Sequence, residues 1–254
     1  MNLPTTIDGV IEELDRIIDS TVAHDNYLGL FTIVYRDTTA RIKSEIIAGA
    51  FEDGNRMHEM DVLFANIYIK AYHDFHAGKQ VSRCWKVSFE AARDPLAIVQ
   101  HIMLGMNAHI NLDLAIAASL TMDGEPIEEL ANDFRKVNEI LAGLTNEMQE
   151  QLARVSPLMF LLDWIGQRSD EKIIDFSIKI AREQSWHFAR ELWGSKGADR
   201  NALLQKVDIG IERIANRIRH PRTRMLRFVL KVIRRFEKKD VADILSAMRS
   251  NQFK

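Results

Sequence analysis

The 254-residue chain contains a single cysteine, Cys84, which excludes an internal disulfide bond. No charged-then-apolar leader opens the sequence, so the expected location is the reducing cytoplasm. Several catalytic signatures are also missing: there is no glycine-rich phosphate loop, no serine-nucleophile elbow and no Glu-x-x-His pair of the di-iron bundles. The sequence therefore contains none of these motifs from which a reaction could be predicted.

The chain also lacks the sustained alternation of β-branched and polar residues that is typical of strands. Apolar residues instead recur at spacings of three and four, as in Ile7, Val10 and Leu14. The five prolines stand where helices are expected to begin, and the turns between them are short. We predict an all-α fold: a single compact multi-helix bundle over residues 1–254, with a long, apolar central helix.

That central helix is predicted over residues 95–121, because Asp94 is a good N-cap and Pro95 suits the first helical position. The segment has no lysine or arginine and exceeds the ~20 residues that span a bilayer. Its polar side chains would nevertheless be costly in hydrocarbon. They are Gln100, His101, Asn107, His109, Asn111 and Asp113. We therefore expect a helix buried inside a soluble protein.

His109 and Asp113 are the most informative of these polar residues. They are four apart, about 6 Å along the helix axis, and share one face with His101 and Gly105. The pair could be a hydrogen-bonded acid/base couple or two ligands of one divalent metal ion. It could also be a structural pair, in which each side chain only satisfies the hydrogen-bonding needs of the other within the core. Gly105 leaves space either for a pocket or for a neighbouring helix. The sequence locates a site here and leaves these alternatives open.

The segment Leu-Gly-Met-Asn-Ala-His-Ile-Asn-Leu-Asp-Leu, residues 104–114, resembles the hallmark motif of a bacterial and fungal family of all-helical proteins of unknown function. The likeness extends to residues 51–57, 64–68 and 133–138, and to the helix that holds Trp186. The resemblance implies an all-helical fold and a shared site. It implies no particular reaction.

Six polar positions that match the family pattern form the candidate site, since helical bundles commonly build sites from facing helices. They are Asp61, His101, His109, Asp113, Asp133 and Asn138. We expect His109 to act as general acid or base and Asp113 to orient it. His101 and Asn138 are expected to contact the substrate. The two remaining aspartates would either orient an imidazole or pair with surface cations.

Charge is distributed unevenly along the chain. Residues 213–254 hold 13 Lys/Arg and 3 Asp/Glu, whereas the rest of the chain holds 21 and 33. This asymmetry indicates that the basic C-terminal helical extension, residues 213–254, meets an anionic surface. That surface is either the acidic face of the protein itself, on which the extension would dock, or an anionic membrane. Nucleic acid is disfavoured because no recognised binding motif is present.

These observations predict an uncharacterised enzyme that acts on a small or lipid-like molecule, with His109 and Asp113 as its acid/base or metal site. A divalent metal ion is the cofactor that such a pair would use. The alternative is a non-catalytic ligand-binding or interaction module whose basic C-terminal helix recruits a partner. Loss of turnover without loss of ligand binding on substitution of His109 would distinguish the enzyme from the module.

Overall fold

The structure is a computed structural model and describes residues 2–162 and 178–249. Within these ranges every regular element is helical, which confirms the predicted all-α class. The helices are α1 (Ile7–Ala23), α2 (Gly29–Ile47), α3 (Gly54–His76), α4 (Arg83–Glu90), α5 (Ile98–Ala108), α6 (Leu114–Thr121), α7 (Ala131–Val155), α8 (Ile178–Gly194), α9 (Gly197–Arg219), α10 (Arg224–Phe236) and α11 (Val241–Arg249). The predicted range 1–254 and its C-terminal extension also include residues 1, 163–177 and 250–254, which lie outside the described residues.

The helices form where apolar spacing and capping residues coincide. In α1, Ile7, Val10 and Leu14 are buried on one face, and the Thr6 hydroxyl accepts a hydrogen bond from Gly9 N at 3.1 Å. At the start of α3, the Asp53 carboxylate accepts from a backbone N–H in the same way. Local sequence therefore sets where these helices begin, and burial of one face holds them together.

The central segment is helical from Ile98 to Thr121, but it is not one uniform α-helix. Between α5 and α6 the five residues His109–Asp113 form a π-helical turn, in which Leu114 N–H donates to the carbonyl of His109. A π turn widens the helix by one residue and often marks a functional position. Here it coincides with the pair that the sequence singled out.

The segment begins three residues later than predicted. Asp94 does not cap it, because its carboxylate binds Arg219 Nε at 2.6 Å. Instead the buried carboxylate of Glu237, which follows α10, accepts from Ile98 N at 3.0 Å. The first backbone N–H of α5, which has no acceptor within the helix, is thus paired with a residue far away in sequence. A rule that considers only neighbouring residues does not detect such a cap.

Replacing Glu237 by alanine is expected to reduce the free energy of unfolding by about 2 to 3 kcal/mol. The change leaves Ile98 N–H and the Ser156 hydroxyl, which donates to Glu237 at 2.7 Å, without that acceptor. Urea denaturation measures the loss. The control is Glu12→Ala, because Glu12 forms only an exposed pair with Arg16 and should change stability by less than about 0.5 kcal/mol. Equal midpoints for the two variants would contradict this role.

The remaining helices cover the central segment. On one side α9 packs over it, and the Asn107 amide donates to the carbonyl of Ile211 at 3.2 Å. On another side Leu230 of α10 belongs to the same buried cluster as Met103 of α5. Among residues 2–162 and 178–249, no helix combines the length and the apolar character needed to cross a bilayer.

Candidate functional site

His109 and Asp113 bind each other in the core. His109 Nδ1 lies 3.0 Å from Asp113 Oδ2, and the same oxygen accepts a hydrogen bond from Trp85 Nε1 of α4 at 2.9 Å. All three side chains are buried. Because the His109–Asp113 bond occupies Nδ1, the second ring nitrogen, Nε2, is the atom left to react, and it has no partner in the described part of the chain.

Aromatic rings hold the imidazole of His109 in place. Phe64 of α3 stacks on it with ring centroids 3.7 Å apart, and Tyr35 of α2 meets it edge-on at 4.2 Å. Phe31 and Trp85 lie at 5.6 and 6.2 Å. These contacts fix the ring plane, so Nε2 keeps one direction relative to the surrounding helices.

His109 lines an apolar cavity of about 90 Å³ that lies between four helices and the central segment. The walls come from α2, α3, the turn around His109, α7 and α8. Most of the lining is hydrocarbon, supplied by residues such as Phe31, Ile42, Met60 and Val137. The polar members of the lining are Tyr35, Thr38, Thr39, Asp61, His109 and Arg182. The cavity thus combines an apolar body with a few polar groups, as small-molecule sites do.

Asp61 is the acidic residue of the cavity wall. It is buried, and its Oδ2 atom has no hydrogen-bond partner among the described residues. Burial raises the pKa of Asp61 to about 7, because the charged form is poorly solvated there. A carboxyl group with this pKa exchanges a proton readily at neutral pH.

Two hydroxyl groups on α2 share this wall. Burial raises the pKa of Tyr35 well above its ordinary value, and the charge of Asp61 adds to the rise. Thr39 is near enough to lower that pKa, but neither hydroxyl has a partner with hydrogen-bond geometry in the described ranges. Buried polar atoms are nearly always paired, so these groups indicate space for a polar atom of a ligand.

The protonation state of the buried pair decides what Nε2 can do. Burial lowers the pKa of His109 well below its ordinary value and raises the pKa of Asp113, a rise that the Trp85 hydrogen bond opposes. The lowered pKa of His109 and the raised pKa of Asp113 both favour the uncharged form of each residue. Such a pair holds two protons, one between Nδ1 and Oδ2 and one on Nε2. Nε2 is then a donor, and after losing that proton it becomes an acceptor.

Asn138 reaches the cavity only through Arg182. Its side-chain oxygen accepts a hydrogen bond from Arg182 Nε, and Arg182 also donates to the carbonyl of Phe134 at 3.0 Å and lies over its ring. Arg182 is buried, and burial lowers its pKa to about 9. Asn138 therefore orients a cation on the cavity wall, which differs from the direct substrate contact that the sequence predicted.

His101 and Asp133 lie away from the cavity. The ring of His101 stacks on Tyr27 at 4.8 Å beside a void of about 10 Å³, and burial lowers its pKa to about 3. Asp133 accepts hydrogen bonds from the backbone N–H groups of Glu52 and Asp53, at 2.7 and 3.1 Å, and from Arg56 at 3.0 Å. The structure thus brings Asp61, His109 and Asp113 together and leaves these two residues in other settings.

Residues 7–221 match the sequence profile described as "Family of unknown function (DUF5995)". The chain belongs to the DUF5995 family. The matched range contains α1 to α9, with every residue of the cavity wall, and ends before α10. It also contains the motif at residues 104–114, so membership agrees with the resemblance stated for the sequence. No curated protein and no solved structure matches the chain.

The sequence identified only part of the site in this DUF5995 chain. Tyr35, Thr39 and Phe64 were not among the predicted residues, because each looks like an ordinary member of an apolar helix face. One signal was available in α2: Thr32, Tyr35 and Thr39 are spaced by three and four residues, so their hydroxyls share its buried face. Several hydroxyls on a buried helix face are costly unless partners or a ligand satisfy them.

The metal interpretation finds less support in the DUF5995 chain than the acid/base one. In the ranges 2–162 and 178–249, no group of three or more His, Cys, Asp and Glu side chains is arranged to hold a metal ion. The Nδ1 atom of His109 and the Oδ2 atom of Asp113 bind each other, so an ion using either atom would have to break that hydrogen bond. Metal binding stays a prediction.

Gly105 supports the site by close packing. A Cβ atom added there would lie 2.3 Å from Cγ of Phe31, and Phe31 lines the cavity. We expect Gly105→Ala to reduce stability by about 1 to 3 kcal/mol, because the clash with an aromatic ring outweighs the ~1 kcal/mol gained in helix propensity. Thermal unfolding measures the change. Gly143→Ala is the control, since its Cβ would meet nothing within 4 Å. A Gly105→Ala variant as stable as the control would contradict the packing argument.

Proposed function

We propose that the protein is an enzyme that binds a small, largely apolar molecule carrying an oxygen function and exchanges protons with it through His109 and Asp61. One observation carries this proposal: the titratable side chains of Tyr35, Asp61 and His109 line the same apolar cavity, and each has an atom without a partner among the described residues. Leaving such groups unpaired costs stability, and active sites are where that cost commonly occurs.

His109 would act as the general acid in the uncharged pair. Its Nε2 proton is available to an oxygen of the substrate, and as it leaves, the proton shared with Asp113 Oδ2 passes to Nδ1, so that the imidazole stays neutral; the reverse transfer restores the pair. Trp85 in turn fixes the orientation of the Asp113 carboxylate. Asp113 and Trp85 are thus positioning residues that act through His109.

Asp61 would act as the general base. A pKa of about 7 gives it a large ionised fraction at neutral pH together with high basicity, which is the compromise that favours proton abstraction. The hydroxyls of Tyr35 and Thr39 would donate hydrogen bonds to the substrate oxygen. This role differs from both sequence expectations, in which Asp61 either orients an imidazole or pairs with a surface cation.

The cavity defines the substrate class. Its volume of about 90 Å³ is smaller than the ~150 Å³ of a cavity that holds benzene, so it accepts a body of a few carbon atoms as it stands. The apolar walls favour hydrocarbon, while the polar groups favour a carbonyl, hydroxyl or carboxylate. Proton transfer at a carbon next to such an oxygen is the reaction class that these residues support.

A non-catalytic ligand-binding module is the second candidate. The observation that favours it is the burial of His109, a residue that is 2% exposed and whose ring is stacked against Phe64. A ring held this tightly suits retention of a ligand as well as it suits catalysis. Both functions use the same cavity, so the decisive difference between them is turnover.

The experiment combines ligand identification with proton exchange. Protein purified without an affinity tag is extracted, and its copurifying small molecules are identified by mass spectrometry. These molecules are then incubated with the enzyme in D2O, and deuterium uptake at carbon is measured. We expect Asp61→Asn and His109→Gln to slow uptake about 10²- to 10⁴-fold. The controls, Asp199→Asn and His220→Gln, change exposed residues of the same types and should leave it unchanged.

The outcomes separate the two candidates. Deuterium uptake that both site variants abolish supports catalysis. A copurified molecule that stays unchanged in every protein, and that His109→Gln still retains, favours the binding module. Uptake that persists in both site variants would contradict the assignment of His109 and Asp61.

A further inference from the structure

Helix α10, Arg224–Phe236, presents three different faces. Its inner face carries Leu226, Leu230 and Ile233, which are buried in one cluster with Val99 of the central segment. This face anchors the helix to the bundle, as the predicted docking of the C-terminal extension requires. The side chains on the other two faces are exposed or partly exposed to solvent.

The second face is an exposed apolar stripe. Met225, Phe228 and Phe236 are 45%, 67% and 62% exposed, and Val232 between them is partly exposed. These residues follow one another at spacings of three and four, so they form a line about 16 Å long on the helix surface.

The third face is basic and lies beside the stripe. Arg224, Arg227, Lys231 and Arg235 are exposed, and none forms an ion pair within the described residues. Residues 222–239 contain eight Lys/Arg and one acidic residue, Glu237. Because the carboxylate of Glu237 is buried at the start of α5, it does little to neutralise this surface.

We infer that this outer surface of α10, the apolar stripe with its basic flank, docks onto an anionic lipid membrane. A helix lying in the membrane interface inserts its apolar stripe between headgroups, while lysine and arginine beside it contact lipid phosphates. Two phenylalanines and a methionine on one line supply the insertion. Four unpaired cations on the adjoining face supply the electrostatic attraction.

The charge pattern argues against other occupants. A second copy of this chain would bring like charges together on the basic faces, which repels. Single-stranded nucleic acid is bound by aromatic platforms within a positively charged groove, whereas Phe228 and Phe236 lie on the convex surface of one helix. A planar anionic surface fits a straight apolar stripe with a cationic edge, so we assign this face of α10 to binding of a lipid membrane.

Vesicle co-sedimentation tests the inference with the full chain. Vesicles of phosphatidylcholine alone are compared with vesicles in which a third of the lipid is phosphatidylglycerol. The wild type is expected to bind the anionic vesicles and to release them at high salt. The double variant Phe228→Ser/Phe236→Ser should weaken binding at least about tenfold, through loss of inserted rings. Arg227→Gln/Lys231→Gln should weaken it about 25-fold, since each charge near the surface contributes about fivefold.

Matched controls change the same residue types elsewhere. Ile47→Ser removes an exposed apolar side chain from α2, and Lys86→Gln removes an exposed charge from α4. Both should bind anionic vesicles as the wild type does. Because all substituted positions on α10 are exposed, unfolding midpoints should not move, and a variant that does unfold is replaced by Phe228→Gln alone, which removes one inserted ring and should bind more weakly than the wild type.

Insertion can be observed directly at Phe228. The only cysteine of the chain, Cys84, is buried, so a Phe228→Cys variant takes an environment-sensitive dye at that position. We expect a blue shift with anionic vesicles and none for the same dye at Ile47→Cys. Equal binding to both vesicle types, no binding by the wild type, or variants that bind unchanged would overturn the inference. So would binding of a single-stranded oligonucleotide, without vesicle binding, through the same residues.

Discussion

At about pH 8, the Asp61→Asn variant is expected to be more stable than the wild type by about 3 to 4 kcal/mol. The Asp61 carboxyl is buried, and burial raises its pKa to about 7. An unfolded chain ionises the same group at a pKa of about 3.9 without any such cost. Asparagine keeps the shape and removes the charge, so the folded state no longer carries the cost of ionisation.

The effect has a definite pH dependence. The folded-state pKa of Asp61 lies above its unfolded-state pKa. The contribution of this carboxyl to the stability of the wild type is therefore fully present below about pH 4 and is lost as the pH rises through 7. Urea denaturation at about pH 4, 6 and 8 should show a small difference between the two proteins at the lowest pH and the largest at the highest. A difference independent of pH would contradict the account of Asp61.

Asp133→Asn is the matched comparison and should have the opposite sign. Asp133 is also buried, but its two oxygens accept from Glu52 N, Asp53 N and Arg56. An asparagine would present an amide N–H₂ to one of these donors, so we expect a loss of about 2 to 3 kcal/mol. The same substitution would thus raise the free energy of unfolding at Asp61 and lower it at Asp133.

The Asp113→Ala variant is expected to lose about 3 to 5 kcal/mol of unfolding free energy. The substitution removes the oxygen that accepts from Trp85 Nε1–H and shares a proton with His109 Nδ1, and both of these groups are enclosed by the core. It also leaves a cavity where the carboxylate was. Urea denaturation measures the loss, and near-ultraviolet circular dichroism, to which Trp85 contributes together with the other aromatic side chains, reports whether the core stays packed.

Asp113→Asn is the conservative control. Its amide oxygen can accept from both Trp85 and His109, so the expected loss is below about 1.5 kcal/mol. An amide oxygen can only accept, so His109 must then carry its proton on Nδ1, and Nε2 loses its donor role. Nitrogen-15 NMR of the imidazole should report this change of tautomer. An Asp113→Ala variant as stable as Asp113→Asn would show that the hydrogen bonds around the pair contribute little.

The sequence predicts the class of fold and the central pair for physical reasons. Apolar spacing dictates helices wherever one face is buried, and a separation of four residues places His109 and Asp113 side by side. Polar residues in a long apolar helix must find partners, which directed attention to this segment. The shared family pattern added Asp61, whose own surroundings in sequence resemble those of any amphipathic helix.

Features that depend on distant contacts were not predictable in this way. The start of α5 depends on Glu237, which lies outside any local capping window. The π turn at His109–Asp113 lies within a continuous helical pattern and interrupts no apolar spacing. Tyr35 joins the site because α2 crosses α5 at Gly105, a close approach that the glycine permits and no periodicity specifies. Tertiary packing, which decides which polar residues share a cavity, is the missing information.

The most direct measurement of the central claim is the NMR signal of the His109 imidazole during titration with small apolar fragments that carry a hydroxyl or carbonyl group. The account predicts that such fragments shift this signal in the wild type. In Val137→Phe, whose added ring fills the cavity, they should leave it unchanged. Fragments that never perturb His109, or that perturb it equally in both proteins, would show that the cavity beside Asp61 and His109 is not a binding site.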